Sequence, residues 1–458
     1  TPAGSPSAPT DTVHRTATAL TVPGRDPNRL IYPCRTPAVT RRPAPFVIGL
    51  VAGSHVINHA YLLLFAPAFP LLREEFGVSL AAVGLALGIV NVVVTAGQLP
   101  LGYVSDAYSH TAVLVGSLAF GTLGCLLAAV APTYEWLLAA AAVMGLGVAG
   151  HHPAHYPLIS ATTTDAYRSR AYSVHGFAGA VGLAVPFAAV PAALALGGGW
   201  RDAFAAVGVL GALYAIGTVL AVRRIPRSIA RAGALARADS GDDPIGGHRL
   251  ADRLRAVPGR LQGYARTLAG SPIVLVLTAL WFVNSVAAWG IRAYAATLLD
   301  QGYGLSPELA NTVTSAMLIV GAVVLLGGGY LADRTGPMAM LFAGYGSLVV
   351  LASIAASGLL PALAAVTIVL LLAATIDLSR PARSTLTDLA SERSDVGKNF
   401  ALITLGVSGG GAVAPPAFGY IIEAAGVGVA FLIVAATAGL ALALSVRVGG
   451  LQGGQTNI

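Results

Sequence analysis

An all-α membrane protein of twelve transmembrane helices, written as one six-helix unit repeated, follows from three observations. Apolar residues make up 55% of the 458 and charged residues only 10%, a balance that no soluble globular core of this size needs. The chain divides into twelve apolar runs, each near the roughly 20 residues that a hydrocarbon layer about 30 Å thick requires. Finally, Gly-Tyr-Val-Ser-Asp at Gly102 recurs as Gly-Tyr-Leu-Ala-Asp at Gly329, 227 residues later. Each copy closes one apolar run and opens a short loop before the next.

Taken in order, residues 1–45 are rich in Pro, Thr, Ser and Arg without an apolar stretch of signal-peptide length, and they read as a disordered cytoplasmic tail. The first half, 46–222, holds runs near Phe46–Leu72, Leu80–Val104, Thr111–Ala131, Trp136–Ala161, Ala171–Leu196 and Ala203–Val222. Residues 223–271 are the cytoplasmic join. Within it Leu250, Leu254, Val257, Leu261, Tyr264 and Leu268 recur at spacings of four and three, with Arg249, Arg253 and Arg260 elsewhere on the wheel. That pattern suits a basic amphipathic helix on the inner leaflet, broken near Pro258; a solvated linker is the alternative. The second half, 272–448, holds runs near Pro272–Leu299, Leu309–Ala332, Met338–Ala356, Leu360–Thr387, Phe400–Ala424 and Val427–Val446, and 449–458 form a second cytoplasmic tail. Gly, Ala and Ser are abundant in the runs, as close helix packing in lipid demands.

Lys and Arg collect on the cytoplasmic side of a bilayer. This topology puts 24 of the 27 in the tails, the alternate loops and the inner helix ends, with Arg73 and Arg201 outside and Arg292 within a run. Both termini are therefore expected in the cytoplasm of a multi-pass cell-membrane protein. The net charge of +7 is explained by this asymmetry and implies no nucleic acid partner. Cys34 and Cys125 form no disulfide framework.

The two halves align residue by residue. Asn58 matches Asn284 at an offset of 226, Asp106 matches Asp333 at 227, His152-Pro153-Ala154-His155 matches Arg380-Pro381-Ala382-Arg383 at 228, and Gly182 and Pro186 match Gly411 and Pro415 at 229. The offset grows by one residue per step, as small loop insertions would make it.

The recurring loop resembles the signature between the second and third helices of the major facilitator superfamily, whose parallel halves carry it at the matching turn. The second copy, Gly329, Asp333, Arg334 and Gly336, is close to that pattern; the first keeps Gly102 and Asp106 but has Ala107, Ser109 and His110 where Arg, Gly and a base are usual. The resemblance covers 46–448. It implies two parallel six-helix repeats around a central cavity lined by the first, fourth, seventh and tenth helices, with the fifth and eleventh at its sides. It also implies that Gly102 and Gly329 let helices touch, and that the motif acids and Arg334 hold a cytoplasmic gate.

Polar residues crowd the runs that the resemblance puts around the cavity. They are His55, Asn58 and His59 in the first, His151, His152 and His155 in the fourth, His175 in the fifth, Trp281, Asn284 and Arg292 in the seventh, and Asp377 and Arg380 in the tenth. Ionisable groups are costly against lipid and are expected to face a cavity or each other. Counting about 1.5 Å per residue from the inner helix ends puts six of the nine histidines in one stratum of the first half. The favoured reading is proton coupling or substrate contact; the structural alternative is a ring bonded to a main-chain carbonyl across a helix interface. The pairs His55/His59 and His151/His155 share a helix face at i, i+4. That spacing is compatible with zinc, but no carboxylate or Cys completes a set, so neither a metal nor a cofactor is expected. Asp377 and Arg380, three apart, are placed to neutralise each other.

Ser54-His55-Val56-Ile57-Asn58-His59 and Gly150-His151-His152-Pro153 further resemble the fosmidomycin-resistance type of drug exporter, with His59 where that group has Asp. Gly176, Gly179, Gly182 and Pro186 give a loose version of the Gly-rich antiporter helix, lacking the Gly before the Pro. The expectation is a secondary transporter of small organic solutes, working by proton-coupled efflux as a monomer in the bilayer. An uptake symporter or uniporter for a small organic anion or nutrient, with Arg292 and Arg380 as anchors, is the alternative. A receptor or enzyme finds no support, since no nucleotide loop, Ser-His-Asp order or metal motif is present.

Overall fold

The computed structural model describes residues 43–231, 272–389 and 396–455, with the isolated Thr1 and Gly259. The tail before Pro43, the amphipathic segment of the linker and residues 456–458 lie outside them. The first half comprises α1 (Pro43–Leu62), α2 (Phe69–Phe76), α3 (Leu80–Ala107), α4 (His110–Ala129), α5 (Tyr134–Thr162), α6 (Asp165–Ala195), α7 (Trp200–Ala221) and the single turn α8 (Arg227–Ala230). The second comprises α9 (Pro272–Thr297), α10 (Pro307–Thr335), α11 (Pro337–Ala356), α12 (Ala362–Leu378), α13 (Arg380–Leu389), α14 (Val396–Ala425) and α15 (Val427–Gln455). Among the described residues, eleven helical stretches are long and apolar enough to cross a membrane; α14 stands at the remaining expected run.

Serine or threonine starts three helices of the first half, α3, α4 and α5, where the side-chain oxygen satisfies an otherwise unpaired N–H group. Ser79 accepts from Ala82, Ser109 from Ala112 and Thr133 from Trp136. Of the expected continuous runs, one is broken and another is locally irregular. After α1 the chain tightens into a 3₁₀ turn at Ala66–Ala68 before α2, because Pro67 and Pro70 cannot donate to an α-helical ladder. Between α12 and α13 Pro381 removes one main-chain donor, but Ser379 keeps helical dihedrals and its carbonyl accepts from the Arg383 N–H at 3.1 Å, so the run is interrupted locally and continues.

The connections around Arg73 and Glu423 mark one end of the bundle, called the Arg73 end, and the Asp106 loop marks the other. Toward the Arg73 end the halves share one apolar core, in which Phe65, Leu87 and Phe204 of the first belong with Tyr294, Phe418 and Phe431 of the second. Toward the Asp106 end there are two cores. One holds Val47, Leu114, Leu158 and Ile229, the other Ile273, Leu341, Leu386 and Val448. Between the halves α3 packs on α14 and α6 on α10. The halves are thus fused at the Arg73 end and parted at the Asp106 end, with the polar residues at the level where they separate.

Candidate functional site

Close approach of α6 to α1 builds the first half of the site. A Cβ at Gly179 would lie 2.4 Å from Cε1 of His55, and one at Gly182 would lie 2.4 Å from the Val56 carbonyl. With no Cβ in the way, the α1 rings reach the α6 backbone. His55 Nδ1 donates to the carbonyl of His175 at 2.7 Å and His59 Nδ1 to that of Gly179 at 2.9 Å. The structural alternative, a ring tied to a carbonyl across the interface, is therefore seen, but it uses one nitrogen of each ring. The other nitrogens meet, Nε2 to Nε2, at 2.8 Å.

From α5, His151 donates Nδ1–H to the Val148 carbonyl of its own helix, and His152 stacks on Tyr156 with ring centroids 5.3 Å apart. His155 Nε2 meets Ser54 Oγ at 3.0 Å. The ring centroids of His151, His152, His155 and His175 all lie within 5.6 Å of that of His55. All six expected histidines thus form one cluster. Asn58 is buried beside it, donating to the Ser54 carbonyl and accepting from Ser117 of α4 at 3.1 Å.

In the second half the positions of His152 and His155 carry cations, Arg380 and Arg383. Arg292 of α9 pairs with Asp377 of α12 at 3.1 Å. The expected Asp377–Arg380 pair is therefore replaced, because Arg292 reaches Asp377 across the α9–α12 interface. Arg380 is exposed, within electrostatic range of His59, His175, Tyr156 and Arg292. Trp281 donates to Thr387 Oγ1 at 3.2 Å.

Sequence reasoning missed Arg383. It is buried, and its Nη1 donates to Asn284 Oδ1 at 2.5 Å, Tyr345 Oη at 2.9 Å and Ser379 Oγ at 2.8 Å, with the guanidinium 4.6 Å from the Trp281 ring centre. The signal was available, since the 228 offset that relates His152 to Arg380 also relates His155 to Arg383, and Ser117 to Tyr345. In both halves an α4 or α11 hydroxyl donates to the Asn of the leading helix, Ser117 to Asn58 and Tyr345 to Asn284.

The loop motifs differ from expectation at one point. A Cβ at Gly102 would meet nothing within 4 Å, so Gly102 is not a point of close helix contact in this conformation. Ser105 donates to the Pro153 carbonyl at 2.8 Å and accepts from His110 Nδ1 at 2.8 Å, tying the motif to α5 beside the histidines. Asp106 is half-buried within electrostatic range of His110. In the second copy Arg334 lies over Tyr330 at 4.4 Å, and Gly336, with φ +82°, starts α11. The surroundings of Gly329 and Asp333 lie outside the described residues.

A family model described as the Major Facilitator Superfamily matches residues 51–387 and 282–450. A probable L-galactonate transporter of Escherichia coli (strain K12) is 25% identical over 278 residues, 61% of this chain and 59% of its own length. A probable 4-methylmuconolactone transporter of Cupriavidus pinatubonensis is 34% identical over 165 residues, 35% of this chain and 37% of its own. The fosmidomycin resistance protein of E. coli is 28% identical over 107 residues, 23% of this chain and 26% of its own. The chain therefore spans less than two thirds of each of these relatives, and the narrower resemblance to the drug exporter extends over about a quarter of it. Among solved structures, a bacterial homolog to the human lysosomal transporter Spinster, in an inward-facing and unoccupied conformation, superposes with a TM-score of 0.71. The identity is 17%, and 89% of this chain and 97% of that one are covered.

Proposed function

Because the chain belongs to the Major Facilitator Superfamily, we propose that it takes up a small organic anion by alternating access, coupled to a proton carried by Asp377. The observation that carries this reading is the charge cluster of the second half in which, among the described residues, Arg292, Arg380 and Arg383 stand near one another and Asp377 pairs with Arg292. Guanidinium groups hold carboxylates through paired N–H donors. When Asp377 is ionised it occupies Arg292. A proton on Asp377 weakens that pair and frees Arg292 for the carboxylate of the solute, so proton and anion travel together. Arg383, fixed by Asn284 and Tyr345, supplies positive charge that titration does not remove. With both termini cytoplasmic, the Asp106 end faces the cytoplasm and this conformation opens inward.

A small organic solute is supported by two relatives named as transporters, of L-galactonate and of 4-methylmuconolactone, and uptake is the direction proposed for it in place of the efflux first expected from the sequence. The test is accumulation of labelled hexonate in proteoliposomes under an imposed pH gradient. Uptake is expected to follow the inward proton gradient. Asp377→Asn is expected to keep exchange of preloaded solute while losing its response to the gradient, and Arg292→Ala to lose binding. A double variant that transports like the wild type removes the pair from the mechanism. Export has one observation in its favour, the match to the fosmidomycin resistance protein; gradient-driven loss of solute from loaded vesicles, without gain, would put export in place of uptake.

A further inference from the structure

We propose that His55, His59, His151 and His152 form a site for one late first-row divalent metal ion of the zinc class, held by imidazole nitrogens alone. The i, i+4 pair on α1 lacked partners in the sequence because the missing donors come from α5. In the fold, one ligand nitrogen from each of the four rings lies within 4.8 Å of the others.

The tautomers carry the argument. His55, His59 and His151 each direct Nδ1 at a main-chain carbonyl, of His175, Gly179 and Val148 respectively. A carbonyl oxygen only accepts, so each of these Nδ1 atoms bears the ring proton and each Nε2 presents a lone pair. Two of these lone pairs, on His55 and His59, face each other across 2.8 Å, an arrangement that repels unless a cation lies between them. The third, on His151, belongs to a buried nitrogen without a hydrogen-bond partner. A shared proton bridges two nitrogens and leaves His151 unsatisfied; a metal ion satisfies all of them together.

Metal–nitrogen bonds of about 2.0–2.1 Å in a tetrahedron place the nitrogens roughly 3.4 Å apart, between the shortest separation of 2.8 Å and the 4.8 Å limit of the set. Carbonyl groups that fix the far nitrogen are the outer-shell arrangement that orients metal-binding histidines. Four imidazoles select zinc, copper, nickel or cobalt over magnesium or calcium, which require oxygen donors. Tyr156, stacked on His152, holds the fourth ring from its other side.

The test uses the full chain, purified in detergent through a tag without histidine, stripped by chelator and dialysed against Zn²⁺. Elemental analysis is expected to give one zinc per chain. The same stoichiometry is expected for a His14→Gln/His248→Gln variant, which removes two histidines outside the described residues. His55→Gln and His151→Gln are each expected to weaken binding by about 100-fold or more. X-ray absorption of the zinc-loaded wild type keeps the proposal testable if those variants fail to fold, and a first shell of imidazole nitrogen alone is expected. Absence of zinc at about 100 µM metal, a shell containing sulfur, or unchanged binding in well-folded His55→Gln and His151→Gln would each overturn the site. None of these measurements depends on transport, so the outcome is independent of the solute and its direction.

Discussion

At the scale of the residue, the second half is organised by a buried cation held, among the described residues, by neutral groups. Arg383 is held by three neutral acceptors and an indole face. Hydrogen bonds to a charged group contribute about 1.5–3 kcal/mol each. Arg383→Ala is expected to lower the melting temperature in detergent by on the order of 5 °C and to weaken solute binding at least tenfold. Arg383→Lys keeps the charge but not the planar fork, and is expected to restore part of the stability and little of the binding. The glycines of α6 make a sharper comparison. Gly179→Ala drives a methyl into the His55 ring, whereas a methyl at Gly176 meets only Leu325 Cδ2 at 3.8 Å. Zinc retention and solute uptake are expected to fall about tenfold or more in the first and to stay near wild type in the second. The Gly-rich pattern read as an antiporter feature thus has a local physical cause, the approach of α6 to the histidine helix.

At the scale of the element, the contact of α9 with α12 sets which charges meet. Three residues apart, Asp377 and Arg380 are spaced to share a helix face. Asp377 instead pairs with Arg292 of the neighbouring helix, while Arg383 lies in the core against Asn284. Pro381→Ala returns the missing N–H and favours a continuous helix. The expected result is equal or greater thermal stability with at least a tenfold loss of solute affinity, measured by a melting curve and an uptake assay on one preparation. A variant that keeps wild-type affinity would show that the local irregularity at Ser379 does not position the site.

At the scale of the whole molecule, one shared core at the Arg73 end and two separate cores at the Asp106 end define the state of the bundle. A small polar clamp reinforces the fused end. Glu423 accepts from Arg73 at 2.9 Å and from the Leu80 N–H at the start of α3 at 2.7 Å, where a carboxylate also meets the favourable end of the helix dipole. The pair is partly exposed, so its contribution is modest, about 1 kcal/mol or less. Glu423→Gln is expected to shift the balance of states up to about fivefold toward opening at that end. Faster labelling of cysteines introduced at Ser315 and Ala184, whose side chain and carbonyl meet across the halves at 3.1 Å, measures the shift. Unchanged labelling would assign closure to the apolar core alone.

Composition and apolar run length determined the membrane class and the number of helices, because the bilayer imposes them on any chain before tertiary contacts form. The 226–229 offsets determined that the halves are equivalent, and they already contained Arg383 and Tyr345 as partners of His155 and Ser117. Histidine crowding was legible too, since depth along a helix is a matter of counting. Only the tertiary structure decided which nitrogen of each ring is occupied by a carbonyl and which faces its neighbours. It also decided that Asp377 belongs to Arg292, and that Glu423 reaches across the halves to Arg73. The physical reason is that ring orientation, ion-pair choice and contact between the halves depend on how closely two backbones approach. That distance is set by glycines and prolines acting on a partner helix far away in sequence, and periodicity along one chain carries no record of it.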